Sequence, residues 1–175
     1  KACRIAFSSE LSNKIKQFSV EQGVTPYMTL MAALQILLTR YTNQTDVTVG
    51  SPVAGRHLPH TENMFGFFVN TLALRTDLSG NPTFQELLAR VCEMALESYA
   101  HQDLPFEKLI EELQPERDMS RTPLFQVMFN LESIPQEGAE ANGLRIEEVE
   151  FDSSILMFDL GLEIVNKEAT LICLF

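Results

Sequence analysis

The run from Met64 to Arg75 (Met-Phe-Gly-Phe-Phe-Val-Asn-Thr-Leu-Ala-Leu-Arg) constrains this chain more than any other segment. Its apolar density predicts a buried strand, entered through Gly66 and running from Phe67 to Thr76. Asn70 and Thr71 sit inside that apolar run. A buried amide left without a partner costs about 1–3 kcal/mol, so Asn70 requires a hydrogen-bonding group in the fold or in a ligand.

The flanking sequence supplies the layers. Ala2 to Phe7 reads as a short strand. Ser8 or Ser9 then caps a helix whose buried stripe is Leu11, Ile15 and Phe18, ended by Gly23. Thr25-Pro26 sets an N-cap and a first-turn proline before a helix from Tyr27 to Tyr41, apolar on most sides. Asp46 to Gly50 is a β-branched strand that breaks at Pro52 into Val53-Ala54-Gly55-Arg56, and Arg56 to Asn63 is a polar loop. Asn81-Pro82 repeats the cap-and-proline device before a helix that buries Phe84, Leu88, Val91 and Ala95 and reaches Ala100. Pro105 opens a shorter helix with Phe106, Leu109, Ile110 and Leu113 as its apolar set.

Beyond it, strands are expected at Phe125–Leu131, Ile146–Phe151, Met157–Val165 and Ala169–Phe175, with a flexible acidic connection from Pro135 to Gly143. Helices early and antiparallel strands late predict an α/β (α+β) two-layer sandwich: a mixed, mostly antiparallel sheet with helices on one face.

At 175 residues, 45% hydrophobic and 21% charged, the chain fits one folded core. No run approaches the ~18 apolar residues of a membrane span. A net charge of −11 argues against nucleic-acid binding, which needs clustered Lys and Arg. Cys3, Cys92 and Cys173 have no metal-ligand spacing and read as reduced thiols of a cytoplasmic protein. The start at Lys1 carries neither an initiator Met nor a secretory pattern, and the last residues form an apolar strand. Both ends are therefore expected to be cuts from a longer polypeptide.

Generic catalytic motifs are absent: no glycine-rich phosphate loop, no Gly-x-Ser-x-Gly, no His-Glu-x-x-His. His57 and His60 lie in a loop where no neighbouring carboxylate or cysteine completes a metal site, so no metal is expected. His101 falls at a helix end, where it suits the dipole. In His101-Gln102-Asp103-Leu104-Pro105-Phe106-Glu107, Pro105 rigidifies a helix–helix corner, and Asp103 and Glu107 are placed to cap the new helix. Arg117-Asp118-Met119-Ser120-Arg121-Thr122-Pro123-Leu124-Phe125 reads as a salt-bridged knot that orients the next strand. Ser51-Pro52-Val53-Ala54-Gly55-Arg56 allows close approach of either a substrate or another backbone segment.

Taken in order, Gly66-Phe67-Phe68-Val69-Asn70-Thr71, the block from His101 to Glu107 and the block from Arg117 to Leu124 resemble the condensation domains of nonribosomal peptide synthetases. Val49 to Arg56 and Met157-Phe158-Asp159-Leu160 also look like segments of that family. The resemblance extends over essentially the whole chain, and to the peptide-forming type more than the epimerising type. It implies a lobe like that of chloramphenicol acetyltransferase, one of two that face each other across a tunnel.

The family's His-His-x-x-x-Asp-Gly motif belongs to the first lobe, and this sequence contains neither His-His nor Asp-Gly. The resemblance therefore implies that residues 1–175 are most of the second lobe, truncated at both ends, with no catalytic residue of their own. It also implies that the fragment alone is inactive. Ser51, Pro52, Val53, Arg56, Gly66, Phe67, Asn70 and Thr71 would border the tunnel and its floor loop. His101, Gln102, Asp103, Pro105, Phe106, Glu107, Arg117, Asp118, Ser120 and Arg121 would be structural.

The implied partners are the first lobe, carrier domains that present phosphopantetheine arms, and an adenylation domain. No cofactor is held directly. A non-catalytic docking module for carrier domains or partner enzymes is the alternative, with a stand-alone acyltransferase a distant third. Apolar surface left bare without the first lobe is expected to drive self-association.

Overall fold

The computed structural model describes residues 3–116, 118, 121–133, 140–141, 144–145, 158–167 and 170–174. In chain order the elements are β1 (Arg4–Ala6), α1 (Ser9–Glu21), α2 (Pro26–Thr42), β2 (Asp46–Val53), β3 (Asn70–Asp77), α3 (Phe84–Ala100), α4 (Phe106–Leu113), β4 (Val127–Ser133), β5 (Glu140–Ala141), β6 (Leu144–Arg145), β7 (Leu160–Lys167) and β8 (Thr170–Leu174). Six strands form one mixed sheet in the order β1-β8-β7-β4-β2-β3, and β5 pairs with β6 in a separate hairpin. In the large sheet the β1–β8, β7–β8 and β2–β3 pairings are antiparallel. The two central pairings, β2–β4 and β4–β7, are parallel.

The late strands are thus not uniformly antiparallel. The long connection between β4 and β7 is what permits a parallel neighbour, since a tight turn can join only antiparallel strands. The expected strand at Ile146–Phe151 lies outside the described residues, as do Met157, Arg117 and Ser120.

Helices α1, α2 and α3 cover one face of the sheet. The core between the layers contains Met31 and Leu34 of α2, Val91 and Ala95 of α3, and Val49, Leu74, Phe129, Ile164 and Leu171 of the sheet. Helix α2 is capped as its sequence predicts: the Thr25 hydroxyl accepts from the Met28 amide at 3.2 Å.

Two other helices differ from expectation. Helix α1 is rotated by about one residue, so that Leu11 is exposed while Ser12 and Ser19 are fully buried. The Ser12 hydroxyl accepts from the Leu171 amide of β8 at 3.0 Å, and Ser19 shares a 2.8 Å hydrogen bond with Thr29 of α2. Small hydroxyl side chains let the helix lie directly on the sheet edge and on its neighbour. Helix α3 starts two residues later than Asn81-Pro82 suggested. Thr83 and Glu86 form a reciprocal capping box that satisfies both orphan donors at once. Asn81 instead turns the chain with φ 52°.

Candidate functional site

The strand expected from Phe67 begins only at Asn70. Residues 54–69 form an irregular arm, with one 3-10 turn at Pro59–Thr61. Phe65 is fully exposed and Phe67 is 90% exposed.

The arm is nevertheless well fixed. Arg56 Nη1 donates to the carbonyls of Thr61 and Met64, and Nη2 donates to Gly66 O at 3.3 Å. Its guanidinium also lies 4.4 Å from the centre of the Phe68 ring. A side chain at Gly55, which has φ 62°, would strike the Phe68 carbonyl. Close backbone packing therefore accounts for Gly55, and Arg56 is occupied by the arm's own carbonyls. Strand β2 does not break at Pro52 but continues to Val53, pairing Pro52 with Thr71 and Val53 with Asn70. Proline is accommodated because β2 pairs with β4 only at Gly50, leaving that edge free beyond it.

Asn70 finds its partners in another sequence block. Its Nδ2 donates to the carbonyls of Gln102 at 2.8 Å and Leu104 at 2.7 Å, and its Oδ1 accepts from the Phe106 amide at 3.1 Å. The amide thus closes the α3–α4 corner and supplies the N-terminal cap of α4. The start of that helix has no side-chain cap of its own, so Asp103 and Glu107 do not play the role expected of them. Asp103 instead pairs with the arm, its Oδ1 lying 3.4 Å from His57 Nε2. Glu107 is exposed, and His101 is the C-cap of α3.

Four aromatic and glycine positions complete the site. Phe125 is 2% exposed, and its ring occupies the space that a side chain at Gly50 would need. Phe106 flanks it at 5.4 Å and Phe158 at 5.6 Å between ring centres. Phe158 is brought there by the amides of Asp159 and Leu160, which donate to Gln126 O. Just upstream, Asp118 and Arg121 form an exposed pair, and Thr122 donates to Phe125 O. Four of the family-like segments therefore meet at one place through Gly50, Asn70, Phe106 and Phe158, around Phe125, which directly follows the block ending at Leu124.

The sequence places Gly50 and Phe158 inside family-like segments and Phe125 at the end of the charged knot, but gives none of the three a role of its own. An isolated glycine within the β-branched run Asp46–Gly50 was the available signal for Gly50.

The expected lining residues divide by face. Ser51 is buried beneath α2, where it accepts a 2.7 Å hydrogen bond from the Tyr27 hydroxyl. Burial, with Tyr99 alongside, holds the Tyr27 phenol well above its usual range. Val53 packs on the core, and Asn70 faces the corner. Pro52 and Thr71, half-buried and paired, lie on the opposite face of the sheet, the one on which the Phe125 ring sits over Gly50. That face also carries Glu163, whose carboxyl is raised by burial and by the neighbouring Glu132. Among the described residues no group of His, Cys, Asp and Glu is arranged to hold a metal ion. No helix among them is long and apolar enough to cross a membrane.

The family model described as Condensation domain matches residues 1–175. One of the subunits of linear gramicidin synthase from Brevibacillus parabrevis is 53% identical over 173 residues, covering 98% of this chain and 3% of that protein. The X-domain solved in complex with OxyB from teicoplanin biosynthesis is 30% identical, with a TM-score of 0.82 over 99% of this chain and 39% of that one. A four-domain nonribosomal peptide synthetase, solved in its holo form with AMP and glycine, shares the fold at 21% identity. Its TM-score is 0.86, over 99% of this chain and 14% of that one. The chain thus spans a small fraction of its curated relatives and about two fifths of the X-domain chain. Matched over its whole length, and sharing half its residues with a synthetase subunit, it belongs to the condensation-domain family.

Proposed function

We propose that residues 1–175 are the second lobe of a peptide-forming condensation domain. The observation that carries this reading is the match of the whole chain to the family, joined to 53% identity with a peptide synthetase subunit. In the reaction, an acceptor amine on one carrier's phosphopantetheine attacks the donor thioester on another. The C–N bond forms, the C–S bond breaks, and the donor arm leaves as a thiol carrying the proton shed by the amine. Most of the rate gain comes from holding two tethered reactants together.

This lobe contributes a wall. Pro52 and Thr71 on the sheet face away from the three helices and Phe67 on the arm are the groups available to border the reaction space, while Arg56, Gly66 and Asn70 shape the wall from behind. The histidine motif comes from the first lobe, and carrier and adenylation domains are the partners, in the cytoplasm. The test uses the complete synthetase polypeptide with both carriers loaded. Amide product from the complete polypeptide, and none from residues 1–175 alone, is expected. Absence of product from a fully loaded, folded complete polypeptide would overturn the reading.

A docking module is the second reading, favoured by likeness to the X-domain, whose structure is a complex with OxyB. A preceding lobe with a degraded His-His-x-x-x-Asp-Gly motif, together with partner binding and no amide product, would establish that reading instead.

A further inference from the structure

Phe125 reaches its seat by an unusual route. Its amide donates to Pro123 O at 2.9 Å, closing a three-residue γ-turn around Leu124, which has φ 69°. A γ-turn with positive φ is the rare, strained kind, and a leucine with positive φ is an outlier. Such strain persists only where the surroundings fix it. Here Gln126 Nε2 donates to Thr122 O at 3.0 Å, the amides of Asp159 and Leu160 hold Gln126 O, and the ring fills the space above Gly50.

The contact path leads outward from the ring. Phe125 packs on Phe106, whose amide donates to Asn70. Asn70 also binds the carbonyls of Gln102 and Leu104, and between these lies Asp103, beside His57 at the base of the arm.

We propose that Phe125, set by the strained turn at Leu124, is a positioning residue that fixes the α3–α4 corner and, through Asn70 and His57, the stance of the aromatic arm 54–69. The proposal rests on the peptide-forming reading for its effect on rate, while its structural half stands alone. If Leu124 served only as apolar filling, its bulk would matter and its φ would not. If its turn seats the ring that positions the corner, φ matters more than bulk, and the two cases rank substitutions at residue 124 in opposite orders. Glycine accepts φ 69° without strain but loses the half-buried side chain. Valine keeps apolar bulk but is β-branched and resists positive φ.

The experiment places Leu124→Gly, Leu124→Val and Phe125→Leu in the complete synthetase polypeptide. Single-turnover amide formation between preloaded carriers is measured well below the melting temperature. Hydrogen exchange at the Phe106 amide and across residues 54–69 is measured on the same proteins.

Leu124→Val and Phe125→Leu are expected to slow amide formation about 10- to 100-fold, the scale of a sub-ångström to ångström misplacement of reactants. Carrier loading should be unchanged, and exchange at Phe106 and in the arm should be faster. Leu124→Gly should keep most of the wild-type rate and protection. Valine performing as well as glycine or better, or rate losses that track only the folded fraction, would overturn the proposal. Should the wild type form no amide, the peptide-forming reading fails separately. Exchange then decides alone: protection lost with valine and kept with glycine supports the device, and unchanged protection with valine overturns it.

Discussion

Asn70 shows how much one side chain can settle. It supplies two donors to carbonyls and one acceptor to an amide, all within a corner that lies 32–36 residues further along the chain. Its need for a partner was legible in the sequence, because an amide among Phe, Val and Leu must be satisfied. The partner was not, because nothing local links β3 to the start of α4. Asn70→Ala is expected to destabilise the chain by about 1–3 kcal/mol in denaturant unfolding, through loss of these bonds and of the Phe106 cap.

Asn70→Asp is the sharper variant. Its ionised carboxylate keeps the acceptor but faces the Gln102 and Leu104 carbonyls with no donor, so it should be less stable than Ala at pH 7. Protonation in acid should recover part of the loss. At Gly50 the outcome depends on a ring. Gly50→Ala places a methyl in the space of Phe125 and should cost about 1–3 kcal/mol by overpacking, read as a lower unfolding midpoint.

At the level of elements, local chemistry predicted most existences and types, but tertiary contacts reset several boundaries. Thr25 and Pro26 predicted the start of α2 within a residue, because capping is a local property. Helix α1 kept its length yet turned its serines inward, because Ser12 meets a β8 amide that its own sequence does not reveal. Strand β3 lost its first three residues to the arm, which Arg56 holds in its own irregular path through the carbonyls of Thr61, Met64 and Gly66.

The Thr83–Glu86 box gives this scale its test. The Thr83 amide and hydroxyl hold the Glu86 carboxyl below its usual range. A depressed carboxylate stabilises the native state above its ordinary pKa, and that contribution fades as pH falls through the lowered value. Thr83→Ala should lower the melting temperature near neutrality through the lost cap, and the difference from wild type should shrink in acid, as thermal melts across pH would show.

Across the whole molecule, one sheet face lies under three helices and the other carries the Phe125 ring over Gly50. On that second face Glu163 is raised by burial and by Glu132. The native state then binds that proton more tightly than the unfolded chain does, so stability falls as pH rises from the ordinary carboxylate range to the raised value. Glu163→Gln should raise the melting temperature at pH 7 and leave it nearly unchanged below about pH 4, where both forms are neutral. The arm's exposed Phe65 and Phe67 should drive concentration-dependent association of the isolated chain despite its charge of −11, and Phe67→Ser should reduce it in light scattering.

Read alone, the residues settle the layers, the caps of α1 and α2, the family likeness and the demand of Asn70 for a partner, since each follows from periodicity, local hydrogen bonding or the identity of short blocks. Long-range packing alone brings those blocks together around Phe125 and leaves Phe65 and Phe67 of the arm facing outward. It also decided that the two central strand pairings are parallel. Each of these depends on contacts between segments far apart in the chain, where packing and long-range hydrogen bonds overrule what any segment prefers alone.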